Sequence, residues 1–260
     1  MNRAGNGTSP ALGRRIGSGK EAEVFEFGDA VIKLYKTGVP KRTVFREAAA
    51  LAQAEALGLP VPSVGGVQQI DGRWGMVMGL IAGRSFADVI DAQPAQKAAR
   101  LKEMALLHRG IHACKATFFG SLKARLEADI LRAAPLSEGQ QRNLLDNLAG
   151  LPDGDRLCHG DFHPWNVLGW PSRPSVIDWM AASRGSPAAD VCRSYVLIRS
   201  IAPDMASSYV EAYAQVSDER LEDIFKWRRV VAAARLAEDV PDEVDGLMAM
   251  LESGGQVGTQ

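Results

Sequence analysis

The sequence predicts an α+β fold in which a small strand-rich segment precedes a larger helical one. Short apolar runs separated by glycine-bearing turns fill the chain from Leu12 to about Leu80, whereas beyond Gly83 apolar residues recur at spacings of three and four. A loop-rich stretch from Leu157 to Ala189, dense in Gly, Pro, His and Asp, interrupts those helices. With 260 residues, 46% of them hydrophobic, the chain can bury a core without metals or disulfides, which excludes intrinsic disorder and a cysteine-stapled scaffold.

Taken in order, Val24 to Phe27 and Ala30 to Tyr35 flank Gly28 and Asp29, a two-residue loop with Gly first that suits a type II′ hairpin. Asp71 and Gly72 mark a second hairpin between Val67 to Ile70 and Trp74 to Met78. Between them one helix is opened by Pro40 and closed by Gly58, with Val44, Ala48 and Leu51 on one face. Further on, Leu101, Met104, Ala105, His108, Ile111 and His112 define a buried helical stripe, Ser137 with Gln140 forms a capping box, and helices resume from about Met205. A cleft between the two parts, residues 1–80 and 81–260, is the expected site.

A formal charge of -1 lacks the cationic excess of a chain that grips phosphate backbones, so nucleic acid is not the expected partner. Cys114, Cys158 and Cys192 form no C-x-x-C pair, and no stretch reaches the roughly 18 apolar residues that span a bilayer. The expectation is a cytoplasmic chain, not in a membrane, with frayed ends at Met1 to Pro10 and Glu252 to Gln260. Composition leaves the oligomeric state open.

Three features carry chemistry. In Gly17-Ser18-Gly19-Lys20-Glu21-Ala22-Glu23-Val24 the glycines let the backbone approach a phosphate and aim N–H groups at it. A G-x-x-x-x-G-K-[ST] reading fails, because Arg14 and Glu21 stand where Gly and Ser or Thr are needed. Next, Lys33 ends an apolar strand, where its ammonium needs an anion, and Glu47 on the following helix is placed to pair with it and aim it at nucleotide phosphates.

The third feature is His159-Gly160-Asp161-Phe162-His163-Pro164-Trp165-Asn166, followed by Val176-Ile177-Asp178-Trp179. The spacing of five from Asp161 to Asn166 matches the H-R-D-x-x-x-x-N loop, with Asp178 at the place of a metal-binding aspartate after a short hairpin. Asn166 and Asp178 offer hard oxygens suited to Mg²⁺, and Asp161 is placed to orient an attacking hydroxyl. A zinc site from Cys158, His159 and His163 is the rival, but Gly160 and Pro164 spoil the helix that would align the histidines. His108 and His112 lie four apart with Arg109 where H-E-x-x-H has its glutamate, and read as hydrogen-bonded core histidines.

In this order the motifs resemble the aminoglycoside phosphotransferase family, the kinase-like group that includes choline and fructosamine kinases, from about Ile16 to Tyr195. The resemblance implies a bilobal protein-kinase-like fold and transfer of the γ-phosphoryl group of ATP, or GTP, with Mg²⁺, to the hydroxyl of a small molecule. It implies Asp161 as the catalytic aspartate, Asn166 and Asp178 as metal ligands, Lys33 with Glu47 on the phosphates, and Gly17, Ser18 and Gly19 over the nucleotide. Adenine would lie along Met78 to Ala82, with Met78 and Leu80 contributing backbone groups, while His159 and Asp190 brace the catalytic loop. Ala22 stands where the pattern G-x-G-x-x-G has its third glycine, and the phrase Gly17 to Ala22 is also similar to RIO-type atypical protein kinases, which keeps a protein acceptor open. A non-catalytic nucleotide-binding module is the reading from another class. From Asp204 to Glu252 twelve acidic residues face five basic ones, including Asp239, Asp242, Glu243 and Asp245, a bias that would draw a polycation such as an aminoglycoside, or that marks a solvated helix face.

Overall fold

The computed structural model describes residues 11–170 and 173–252, so the expected frayed ends, apart from Glu252 at the close of the last helix, lie outside the described residues. The α+β expectation holds. Strands β1 (Arg15–Ser18), β2 (Ala22–Phe27), β3 (Ala30–Tyr35), β4 (Val64–Ile70) and β5 (Arg73–Gly79) form one antiparallel sheet in the order β1-β2-β3-β5-β4. Both hairpins form where their turn residues place them, with φ +65° at Gly28 and φ +48° and +77° at Asp71 and Gly72. Helix α1 (Lys41–Ala56) crosses between β3 and β4 and lays Val44, Ala48 and Leu51 against the sheet; Glu47 is buried on the same face.

The sheet passes through an extended segment into β6 (Arg84–Ser85) and α2 (Phe86–Ala92), the latter opened by a Ser85–Asp88 capping box. A Cβ on Gly83 would stand 2.9 Å from the Cα of Gly169, so this crossing admits only a glycine. Helix α3 (Lys97–His112) buries the expected stripe, and α4 (Leu122–Arg132) and α5 (Glu138–Gly150) follow, α5 capped by Ser137 and Gln140.

The loop-rich stretch is more structured than its composition suggests. It holds β7 (Arg156–Cys158), β8 (Val167–Trp170), β9 (Ser175–Val176) and β10 (Ser183–Gly185), too short for a period of two to stand out. β7 pairs with β10, and β8 with β9 and β6. Helices α6 (Pro187–Arg199), α7 (Pro203–Val216), α8 (Leu221–Phe225), α9 (Arg228–Leu236) and α10 (Val244–Glu252) complete the chain, with Trp179, Tyr209, Tyr213 and Trp227 among its fully buried side chains. No helix among the described residues is long and apolar enough to cross a membrane, and the cysteines are free thiols.

Candidate active site

The alternation of the H-G-D-F-H-P-W-N segment decides which side chains face the interior. His159 and Phe162 are fully buried, and the Phe162 ring stacks on His108 at 4.0 Å. Gly160 between them has φ +79°, and a Cβ there would stand 2.4 Å from the Ala181 carbonyl, so the chain reverses only at a glycine. That reversal turns the Asp161 carboxylate away from the core.

Two buried groups hold the loop. Asp190, near the start of α6, accepts the backbone N–H of His159 at 2.6 Å on one oxygen and that of Gly160 at 2.7 Å on the other. His159 accepts from the Asp161 N–H through Nδ1 (3.2 Å) and donates from Nε2 to the Ile177 carbonyl (3.0 Å), which ties the loop to the segment bearing Asp178. This tautomer is neutral, in keeping with burial, which pushes its pKa down. Trp179 packs edge-on against His159 and donates to the Val176 carbonyl at 3.0 Å.

The expected core histidines are satisfied, but their partner escaped the sequence. His108 and His112 both reach the same oxygen of Asp190, at 3.0 and 3.1 Å, while their Nδ1 atoms meet the hydroxyls of Tyr209 and Tyr213. The three residues cluster closely enough to hold a cation, yet hydrogen bonds already use each ligand atom. The Cys158–His159–His163 set is not assembled, since Cys158 is turned toward the Ser186 carbonyl and His159 is engaged as above.

The charged cluster forms as the motifs require. Lys33 Nζ lies 2.7 Å from Glu47 and 3.2 Å from Asp178, and the Tyr35 hydroxyl donates to the second oxygen of Glu47. Burial disfavours the ammonium, but the two carboxylates outweigh it and its pKa stays raised. Asp178 has φ +64°, a left-handed conformation rare outside glycine, and its side chain is 38% exposed. Asn166 spends its amide N–H groups on the carbonyl and carboxylate of Asp161, at 2.9 and 3.0 Å, and on His163 at 3.1 Å; its Oδ1 takes no hydrogen bond among the described residues. An uncommitted amide oxygen and a half-exposed carboxylate, reached from one short hairpin, are a donor set that fits Mg²⁺.

Asp161 itself is held ionised. Burial pushes its pKa up, but the His163 imidazole, 3.6 Å from its carboxylate, and the Arg193 guanidinium outweigh this and leave it well below the usual carboxylate range. Sequence reasoning used His163 in the H-G-D-F-H-P-W-N signature and in the zinc alternative but gave it no role beside Asp161, and passed over Arg193, which donates to the Gly160 carbonyl at 3.2 Å and pairs with Glu238. Its spacing of three from Asp190 on an amphipathic helix was the available signal.

Gly17 and Ser18 end β1, and Gly19 begins the turn into β2 with its N–H on the Ala22 carbonyl at 2.8 Å. Lys20, next along, donates to the backbone carbonyl of Glu238 beyond α9, bridging the sheet-rich part and the last helices. The segment expected to carry adenine runs off the end of β5. Met78 is registered between Val31 and Val64, so its backbone sits inside the sheet ladder. Leu80 to Ala82 lie beyond the ladder and take no backbone hydrogen bond among the described residues, with Leu80 exposed. The acidic bias of the C-terminal helices also reads differently in three dimensions. Glu243 is paired with Arg235, Glu238 with Arg193 and Arg235, and Asp239, Asp242 and Asp245 face solvent. The carboxylates nearest the loop are thus already neutralised, and the solvated-face reading fits the rest.

A family model described as phosphotransferase enzyme family matches residues 13–242, further than the expected 16–195. Among solved structures, the chain is similar to an aminoglycoside-3′-phosphotransferase of type VIII, with 20% identity over 90% of this chain and 94% of that one and a TM-score of 0.61. A choline/ethanolamine kinase family protein from Mesorhizobium loti shares 21% identity over 95% and 90% of the chains at a TM-score of 0.65. A thermostable aminoglycoside phosphotransferase mutant in ternary complex with ADP and hygromycin B shares 16% over 94% and 90%, at 0.66. Among curated proteins no sequence matches the chain. The fold is the bilobal kinase-like one, with a small strand-rich lobe and a larger helical lobe.

Proposed function

The chain belongs to the phosphotransferase enzyme family, and from that premise we propose that it transfers the γ-phosphoryl group of ATP to a hydroxyl of a small molecule. The observation that carries this reading is the convergence of Glu47 and Asp178 within 3.2 Å of the Lys33 ammonium, next to the Asp161–Asn166 pair. Residues 1–80 serve as the nucleotide-binding lobe and 81–260 as the catalytic and acceptor lobe. Adenine rests against the free backbone groups of Leu80 to Ala82, with Met78 beneath, and Gly17, Ser18 and Gly19 cover the phosphates.

Asn166 and Asp178 would hold Mg²⁺, which would supply positive charge against the triphosphate oxygens. Lys33, kept charged by its two carboxylates, contacts the phosphates, and Glu47 fixes its direction. Asp161 accepts the hydrogen bond of the acceptor hydroxyl and orients it in line. The hydroxyl oxygen bonds to Pγ as the bond from Pγ to the ADP oxygen breaks, and the proton passes to Asp161 late, as suits a weak base beside a loose transition state. His159 and Asp190 do no chemistry; they keep Asp161 in place. Buried free thiols agree with a reducing, cytoplasmic setting.

The test is label transfer from γ-labelled ATP, with and without Mg²⁺, to small acceptors and to protein. Label on a small solute that vanishes with EDTA supports the reading. Label on protein alone favours the RIO-like alternative, and Mg²⁺-dependent ATP binding without any transfer favours a regulatory module.

A further inference from the structure

Glu238, two residues beyond α9, meets both the glycine loop and the support of the catalytic loop. Its own N–H and that of Asp239 close the last helical turn on the carbonyls of Arg235 and Leu236, and Asp239, at φ +53°, turns the chain out of the helix. The Glu238 carbonyl is thereby left at the helix end without a partner inside the helix, where the macrodipole is negative and a cation is favoured. Lys20 takes that place. The Gly19 N–H on the Ala22 carbonyl closes the turn that carries Lys20 at its tip, and Lys20 Nζ donates to the Glu238 carbonyl.

The side chain of the same residue faces the catalytic loop. One Glu238 oxygen accepts from Arg193 of α6 and the other from Arg235 of α9. Both guanidiniums are largely buried, and Arg235 is further gripped by the two oxygens of Glu243 at 2.6 and 2.9 Å, which fixes the direction of Glu238. Arg193 in turn donates from Nε to the carbonyl of Gly160, the residue before Asp161. The two halves of this path differ in strength. Lys20 and its bond are exposed, so that contact is weak enough to open at each nucleotide exchange, whereas the partly buried Arg193–Glu238 pair persists.

Resting on the phosphotransferase reading above, we propose that Lys20 is a latch between the lobes and Glu238 the positioning residue it engages: the closed latch keeps the glycine loop over the nucleotide and, through Arg193, steadies the loop that carries Asp161. Nucleotide leaves when Lys20 lets go of the Glu238 carbonyl. The catalytic loop is then firmest while the phosphates are covered and loosens as the glycine loop opens.

Lys20→Met and Lys20→Arg, both at an exposed position, are compared with the full-length wild type. Release of N-methylanthraniloyl-ATP with Mg²⁺, followed by stopped-flow fluorescence, should be about 3- to 10-fold faster in Lys20→Met, the scale of one exposed hydrogen bond from a charged donor, and Lys20→Arg should recover part of the difference. Hydrogen exchange of the nucleotide-free proteins reads the coupling. In Lys20→Met protection should fall in residues 15–24 and also in 157–166, which Lys20 does not touch. Glu238→Gln spares the carbonyl but weakens the hold on Arg193, so it should loosen 157–166 and leave 15–24 protected. An unchanged release rate in Lys20→Met, or a loss of protection confined to 15–24, overturns the latch and leaves the phosphotransferase reading standing. If the wild type binds nucleotide but transfers no phosphate, that reading fails, and the release rates and exchange patterns decide the latch by themselves. A wild type that binds no nucleotide overturns both.

Discussion

Lys33 owes its place to two carboxylates, Glu47 from helix α1 and Asp178 from the segment that follows β9. Glu47→Gln removes one of them and leaves the Tyr35 hydroxyl and Lys33 imperfectly matched. Breaking a buried pair of this kind costs about 3 to 5 kcal/mol, and since Gln keeps the shape and part of the hydrogen bonding, the loss should fall at or below the lower end, read by chemical denaturation. Lys33→Met should raise the KM for ATP by about 10-fold or more, on the scale of a charge-assisted contact to phosphate, measured by steady-state kinetics at saturating Mg²⁺. At this scale the sequence was readable wherever a residue type was forced by its surroundings. A lysine ending an apolar strand demanded an anion, and the fixed spacing from Asp161 to Asn166 demanded one short loop. Arg193 was legible only through its spacing from Asp190, because an arginine on a helix announces little more until the fold shows which carbonyl or carboxylate stands opposite.

Helix α6 is the element on which the site depends, since Asp190 in its first turn gathers two backbone N–H groups and two histidines. The buried His108 has its pKa pushed down to about 3, chiefly by burial. Its folded pKa lies below the unfolded value of 6.5, so the unfolded chain binds the extra proton between those values. Stability is therefore complete above pH 6.5 and falls as pH drops toward 3, by about 1.4 kcal/mol per pH unit from this group. Asp190, also depressed, acts in the same direction at lower pH. Denaturation midpoints from pH 7 to 4 should show that slope in the wild type and a shallower one in a folded His108→Gln variant. Gly160→Ala should cost about 2 to 4 kcal/mol, from a positive φ and the clash with the Ala181 carbonyl, or abolish soluble expression. The long elements were legible, α1 from its Pro40 and Gly58 punctuation and α3 from its stripe. The strands β7 to β10 were not, because two to four residues carry no period and are fixed by pairing partners far along the chain.

Across the whole molecule the lobes meet at the Lys33–Asp178 pair, at the Val176 N–H on the Pro60 carbonyl at 2.8 Å, and at Lys20 on Glu238. Charge counting over the C-terminal helices could not choose between a polycation-binding face and a solvated one because a sum over sequence ignores pairing; the arginines that pair with Glu238 and Glu243 come from α6 and α9. Nucleotide held across these points should raise the melting temperature in a Mg²⁺-dependent way, since a ligand present at 100 times its Kd adds about 2.7 kcal/mol. The central claim is that Asp161 orients an acceptor hydroxyl toward a triphosphate held by Lys33, Asn166 and Asp178. Single-turnover transfer of labelled phosphate from MgATP to the best acceptor, compared between wild type and Asp161→Asn, tests it most directly. The account predicts a rate lower by about 100- to 10,000-fold in the variant with the Kd for MgATP nearly unchanged; equal rates in the two proteins would contradict it.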